Sequence, residues 1–175
     1  FPPLRTFDNI EPLVLSQSML RGMFAKTSFA ICSDQARYNL TGILFEIKDG
    51  KLIVVATDGR RMSLCMETEG IPNGVNVKVI IPGKMVAELE RLLGNEGDVS
   101  VYIDESQTAF AFNSARLVTA LIEGNFPNYE QVIPKSSSHS VHIKKEEFLA
   151  VTKRAALCVI DRGGSVKYTV SKGKL

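Results

Sequence analysis

A strand, an amphipathic helix and a set of hairpins follow one another twice along this 175-residue chain and begin a third time. This recurrence constrains the fold more than any single motif does. In the first copy Pro12-Leu13-Val14-Leu15 precedes Ser16, a candidate helix N-cap, and Leu20, Met23 and Phe24 fall on one helical face. Gly22 weakens that helix. Alternating Ile43, Phe45 and Ile47 lead into Asp49-Gly50, a strong hairpin signal, and Leu52 to Ala56 returns. Thr57-Asp58-Gly59 then turns the chain into Met62 to Cys65.

The second copy opens with Val77 to Ile81, and Pro82 stands just ahead of a helix carrying Met85, Val86, Leu89, Leu92 and Leu93 at three-to-four spacing. Gly94 reads as its stop. Strands Val99 to Ile103, Thr108 to Phe112 and Arg116 to Ile122 follow, joined by Asp104-Glu105-Ser106-Gln107 and Asn113-Ser114. The third copy starts with a strand at Val141-His142-Ile143 and continues through a helix bearing Phe148, Val151, Thr152 and Ala155. It breaks at Gly163-Gly164 before a strand from Val166 to Val170. Helix starts near Ser16, Pro82 and Lys144 are roughly sixty-five residues apart, which suits a strand-helix-strands half-domain. Two halves then pack as one pseudo-symmetric domain of class α+β, with a mostly antiparallel sheet covered on one face and the helices segregated to the other side. The periodicity is interrupted between Pro127 and Ser140, where the domain boundary is expected.

With 45% hydrophobic and 23% charged residues the chain is globular, and its net charge of +2 is too small to name a partner. Phe1 at the start and Lys174-Leu175 at the end of what reads as an unfinished strand point to an internal piece of a longer protein. No apolar run approaches the eighteen or so residues of a membrane span, and no secretion-signal pattern opens the chain, so the cytosol is the expected compartment. Cys32, Cys65 and Cys158, odd in number and set among apolar neighbours, fit reduced core thiols.

Catalytic chemistry finds little support. His139 and His142, three apart at a strand entrance, do not share a face, and no Cys or carboxylate cluster joins them, so neither a metal nor another cofactor is expected. Gly94-Asn95-Glu96-Gly97 and Asp161-Arg162-Gly163-Gly164 lack phosphate-loop spacing. Asp58, Asp104 and Glu105 sit in turns, where Asp bonds its own backbone. One enzymatic alternative stays open: the Thr57-Asp58-Gly59-Arg60-Arg61 turn could hold a phosphorylated small molecule. A protein-interaction module without a DNA role is another.

Several stretches carry a resemblance. Arg37-Tyr38-Asn39-Leu40-Thr41-Gly42-Ile43-Leu44-Phe45-Glu46, followed by Val55-Ala56-Thr57-Asp58-Gly59-Arg60-Arg61-Met62, is very similar to the central segment of the bacterial DNA polymerase III beta subunit, the beta clamp family. Leu121-Ile122-Glu123-Gly124-Asn125-Phe126-Pro127-Asn128-Tyr129 with Val132-Ile133-Pro134 resembles that family's passage from its second domain to its third, and Ile80-Ile81-Pro82-Gly83-Lys84 also fits. The similarity runs in order along nearly the whole chain.

The resemblance implies a DNA clamp fold in which residues 1–130 form the second domain and 131–175 begin the third. It implies a non-catalytic homodimeric ring of three-domain subunits around duplex DNA, bound without regard to sequence. The ring tethers the replicative polymerase and meets the polymerase III alpha subunit, clamp-loader subunits, other polymerases and repair proteins through short peptides. On this reading one further domain precedes Phe1, and the piece alone closes no ring. Helices line the family's hole, so Arg21, Lys26, Lys84, Arg91, Lys153 and Arg154 are the expected DNA-facing cations, with Glu88 and Glu90 diluting the second helix. Tyr38 and Asn39 match a DNA-touching loop. The peptide groove carries over as Leu40, Thr57, Gly59, Arg60, Arg61 and Met62, then Pro127, Gln131 and Val132. Arg60 stands where many relatives have histidine, Thr41 where asparagine is usual, and Gln131 where a basic residue can occur. The family's groove is completed by later parts of the third domain, so weak or undetectable peptide binding is expected of this piece alone.

Overall fold

The computed structural model describes residues 7, 10–159, 165–171 and 173–174. The chain divides into two compact units, Phe1–Glu130 and Gln131–Leu175. In the first unit β1 (Leu13–Ser16) leads into α1 (Gln17–Thr27). Two 3-10 segments follow, Ser28–Ala30 and Gln35–Leu40, and then β2 (Gly42–Lys48), β3 (Lys51–Thr57) and β4 (Met62–Glu67). The series repeats as β5 (Val77–Pro82), α2 (Gly83–Leu92), β6 (Asp98–Ile103), β7 (Gln107–Phe112) and β8 (Ala115–Ala120).

Local chemistry explains these boundaries. The Ser16 hydroxyl accepts the Met19 amide and starts α1, as its N-cap position implies. Asp49 and Gly50 take φ of 52° and 68°, the double left-handed geometry that a two-residue hairpin needs to match strand twist. Asp104 Oδ1 accepts the amides of Ser106 and Gln107, closing the β6–β7 turn.

Instead of the single sheet expected from the alternation, the described residues form two antiparallel sheets, ordered β1-β6-β7-β8 and β4-β3-β2-β5. Each copy's opening strand has crossed into the other copy's sheet, β1 pairing with β6 and β5 pairing with β2. The helix starts repeat the exchange. The amide of Gln17, first in α1, donates to the carbonyl of Gly97 just before β6 at 2.9 Å, and the amide of Gly83, first in α2, donates to that of Thr41 just before β2 at 3.1 Å. Two otherwise orphaned helix amides are thus satisfied by equivalent carbonyls of the opposite copy.

Between the sheets and helices lies the main core, with Leu20, Met23 and Phe24 of α1, Val86 and Leu89 of α2, Phe45, Val54, Val101 and Phe110. A second, smaller cluster lies on the other face of the β4-β3-β2-β5 sheet. There Leu44, Ile53, Val55 and Ile80 are covered by Cys32 and Leu40 from before β2 and by Ile122, Phe126 and Tyr129 from after β8. Both faces of that sheet are covered, which is why the central strand β3 reads as an unbroken apolar run.

Three sequence expectations in this unit are corrected. Leu92 is 39% exposed while Leu93 is buried, because α2 ends at Leu92 and Leu93 turns extended (φ −65°, ψ 135°) into the core. Gly94 therefore does not stop the helix. Its amide donates to Oε1 of the buried Gln17, whose Nε2 donates to the Asp98 carbonyl. The last strand ends at Ala120, and Leu121 and Ile122 leave the sheet to bond the carbonyls of Ser106 and Ile80.

The second unit contains α3 (Lys145–Ala156). None of its side chains is buried, Phe148 and Val151 included. Residues 141–143 and 166–170 form no strand, since the described residues offer them no neighbouring strand to pair with. Cys32 and Cys65 are buried free thiols, but Cys158, expected in a core, is exposed at the end of a helix that buries nothing. Asp161-Arg162-Gly163-Gly164 lie outside the described residues, as do Phe1 and Leu175.

Two glycines discriminate this packing. A Cβ on Gly42 would run into the Ile81 carbonyl and the side chains of Ile80 and Ile122, whereas a Cβ on Gly22 meets nothing within 4 Å. Gly42→Ala should lower the urea-unfolding free energy by about 1–3 kcal/mol. Gly22→Ala should raise it by about 0.5–1 kcal/mol through helix propensity.

Candidate functional site

The turn between β3 and β4 is fixed by its own side chains. Thr57 Oγ1 accepts the Gly59 amide at 3.0 Å and donates to the Arg61 carbonyl at 2.7 Å. Asp58 Oδ1 accepts the amides of Arg60 and Arg61 at 2.9 and 3.0 Å, and Oδ2 meets Arg61 Nε at 3.2 Å. Those two backbone amides hold the Asp58 carboxyl below its ordinary range, with the Arg61 side chain adding to the effect. Because the amides of Gly59, Arg60 and Arg61 are spent inside the turn, they are not free to cradle a phosphate, which counts against the enzymatic alternative.

Two residues outside the expected site hold the turn from beyond. Arg37 Nη1 donates to the Asp58 carbonyl at 2.7 Å, and it lies 2.9 Å from where a Cβ on Gly59 would be. Gly59 is required by its φ of 83°, and a Cβ there would also displace the end of the Arg37 side chain. Arg61 Nη2 donates to the Phe29 carbonyl at 2.9 Å while its guanidinium lies 5.6 Å from the centre of the exposed Phe29 ring. Arg37 stood in the motif that carries the resemblance, but nothing in its spacing revealed a bond to residue 58, and Phe29 gave no signal.

Beside the turn, Met62 is half-buried against the smaller cluster that contains Leu40, and Thr57 pairs with Met62 at the end of β3 and β4. Leu40, Thr57, Gly59, Arg60, Arg61 and Met62 are thus gathered at one end of the sheet's outer face. Pro127 is exposed and follows Phe126, which belongs to the same cluster. Gln131 and Val132 are exposed residues of the second unit, Val132 at 67%. A cleft of about 460 Å3 between β5 and residues 121–126 contains none of the expected groove residues.

The expected DNA-facing cations divide among three helices. α1 and α2 lie side by side on the main core, leaving Arg21 and Lys26 on one and Lys84 and Arg91 on the other turned outward. α1 contains no acidic residue, whereas Arg91 is paired with Glu88, and Glu90 accepts the Ser28 hydroxyl at 3.1 Å. Arg21 donates to Asn95 Oδ1 at 2.9 Å. Tyr38 is 56% exposed, while Asn39 Nδ2 is committed to the Asn125 carbonyl at 2.9 Å. Lys153 and Arg154 are exposed on α3 in the second unit. His139 and His142 are exposed, and no cluster of three or more metal-ligating side chains occurs among the described residues. No helix among them is long and apolar enough to cross a membrane.

The Asp58 geometry yields a prediction with a definite sign. A carboxyl whose folded pKa is depressed stabilises the fold above its unfolded value and loses that contribution as pH falls through the folded one. Amide exchange at Arg60 and Arg61, corrected for intrinsic rate, should be constant above the ordinary aspartate value of 3.8 and accelerate below it. Asp58→Ala should show fast exchange at both amides at every pH.

Comparison with known proteins agrees with this architecture. Residues 14–128 match the family model "DNA polymerase III beta subunit, central domain". The chain is 33% identical over 175 residues to the beta sliding clamp of Chlamydia muridarum, covering all of this chain and 48% of that protein. It is 31% identical over 162 residues to the beta sliding clamp of Pseudomonas aeruginosa, covering 92% of this chain and 44% of that one. The chain thus spans about half the length of the curated relatives it matches. The solved DNA polymerase sliding clamp from Bacillus subtilis superposes with a TM-score of 0.87 at 28% identity, over 94% of this chain and 43% of that one. The DNA polymerase III beta subunit from Pseudomonas aeruginosa does so at 0.83 and 31%, over 93% and 45%. With its central-domain match, its exchanged-strand α+β domain and these superpositions, the chain belongs to the DNA polymerase III beta subunit family, the beta sliding clamps.

Proposed function

We propose that this chain is the working middle of a processivity factor for DNA replication, a non-catalytic ring that encircles duplex DNA and docks its enzymes through short peptides. Phe1–Glu130 is then the central clamp domain and residues 131–175 begin the next one. The ring is a homodimer of longer chains in the bacterial cytoplasm, and its visitors are the replicative polymerase, the clamp loader and repair proteins.

A ring must hold DNA without gripping it, so its useful contacts are sequence-independent ones to phosphates, at a distance or through water. α1 suits that role, since its cations, the partly exposed Arg21 and the exposed Lys26, have no acidic residue on the same helix, and Lys84 of α2 adds a further exposed charge. Arg91 contributes less because Glu88 already neutralises it. Asn39, tied to Asn125, orders its loop and leaves Tyr38 among that loop's exposed side chains for DNA.

The observation that carries the docking reading is the rigid turn beside an apolar floor. Thr57, Asp58 and Arg37 fix the backbone that presents Gly59, Arg60 and Arg61, and next to it the half-buried Met62, backed by the cluster that holds the buried Leu40, offers apolar surface. Affinity for an extended peptide comes from a few apolar anchors placed on such a floor, and a preformed wall lowers the ordering cost of binding. The flexible Met62 thioether repacks around different side chains, which suits a site with several visitors. Pro127, exposed at the end of the same unit, is proposed as a further wall residue.

Two outcomes are expected of the complete protein. Loaded on nicked circular DNA, it should stay bound until the DNA is linearised and then slide off. Binding that survives linearisation and weakens only with salt would contradict a topological clamp. Met62→Ala should weaken binding of a fluorescein-labelled extended peptide carrying two adjacent leucines by roughly tenfold, leaving DNA retention unchanged.

A further inference from the structure

The middle of the outer face of the β4-β3-β2-β5 sheet is mainly apolar, and Glu46 with Lys78 interrupts it. Strand alternation puts Leu44 and Glu46 of β2, Ile53 and Val55 of β3, and Lys78 and Ile80 of β5 on that face. The Glu46 side chain is only 12% exposed. Its oxygens are divided between two partners: Oε1 lies 3.3 Å from Lys78 Nζ, directly across from it in the β2–β5 register, and Oε2 accepts the Tyr129 hydroxyl at 2.9 Å. Tyr129 is itself buried in the smaller cluster with Leu40 and Phe126. Burial first, and the Glu46 carboxylate second, hold its phenol above the ordinary tyrosine range, so it remains a hydrogen-bond donor.

Tyr129 is the last of three attachments that lead the chain across this face after β8. The Ile122 amide donates to the Ile80 carbonyl, the Asn125 carbonyl accepts from Asn39, and the Tyr129 hydroxyl donates to Glu46. Pro127 lies between the second and the third. An aliphatic side chain in place of Glu46 would bury as well, but apolar contacts tolerate sliding by an ångström or more. A nearly buried carboxylate with one phenol donor accepts a single register, because a shifted segment would leave it short of a partner.

We infer that Glu46 and Tyr129 are a positioning pair for the peptide site, clamping residues 122–129 to the sheet so that the exposed Pro127, next in the chain to Phe126 of the smaller cluster, is held in one place. Lys78 is the third member, holding the Glu46 carboxylate toward the phenol. The inference rests on the docking reading above. Neither residue touches the peptide, and both act through the placement of the wall.

The test uses the complete protein with Tyr129→Phe, Glu46→Leu and Glu46→Gln. Backbone amide exchange at residues 122–130 is measured with exchange in β3 as a control, and affinity is measured with the labelled dileucine peptide. Tyr129→Phe and Glu46→Leu should speed exchange at 122–130 while leaving β3 unchanged, and should weaken the peptide by roughly tenfold. Glu46→Gln, which keeps an acceptor oxygen for the phenol, should stay within roughly threefold of the parent. Unchanged exchange at 122–130 in Tyr129→Phe overturns the clamp, and faster exchange with unaltered affinity overturns its role in docking. A parent protein that binds no peptide removes the docking reading and this role with it, while the exchange data still report separately whether the pair orders the segment.

Discussion

The exchange of opening strands between the two repeats is the constraint on which the rest of the structure depends. Neither copy completes its own sheet: β1 is needed beside β6, and β5 beside β2. The helix starts are caught in the same exchange, each donating its first amide to a carbonyl of the opposite copy. Backbone hydrogen bonds satisfied only between copies leave no low-energy state in which one copy is folded and the other is not. The buried Gln17 reinforces the seam, accepting from Gly94 and donating to the Asp98 carbonyl across it.

From this seam follow two surfaces of different character. α1 and α2 are brought side by side over one core and turn their outer faces, with Arg21, Lys26 and Lys84, away from it. The β4-β3-β2-β5 sheet keeps its inner face in that core and needs a second cover outside, which the segments before β2 and after β8 provide. Leu40, Met62 and the Thr57–Arg61 turn stand at the edge of that cover. On the function proposed above, the helices would supply charge for sequence-independent DNA contact, and the sheet end a hydrogen-bonded turn beside the half-buried Met62 for a peptide.

Much of the fold was legible because its elements are locally encoded. Ser16 caps, Asp49-Gly50 turns, and the three-to-four spacing of Leu20, Met23 and Phe24 marked a buried helix face. The strand exchange was not legible, because alternation says which face of a strand is buried and nothing about which neighbour it pairs with. Leu92 and Leu93 were misassigned since helical periodicity was carried one residue past the point where the backbone turns extended. The covered outer face did leave a trace in the unbroken apolar run of β3, but such a run is equally typical of other buried strands. The expected strands of the second unit had apolar residues but, among the described residues, no strand to pair with. At the candidate site, the turn residues were legible through family resemblance, while the bonds from Arg37 to Asp58, from Arg61 to Phe29 and from Tyr129 to Glu46 join residues 21 to 83 positions apart and leave no local pattern.

Cooperativity within the first unit tests the interlock most directly. Urea unfolding followed by pulsed amide exchange reads β2–β3, built mainly by the first copy, and β6–β7, built by the second, in one experiment. The account predicts one midpoint for both, with β1 and β5 losing protection at the same urea concentration. Two separated midpoints, with β2–β3 protected after β6–β7 has opened or the reverse, would contradict it.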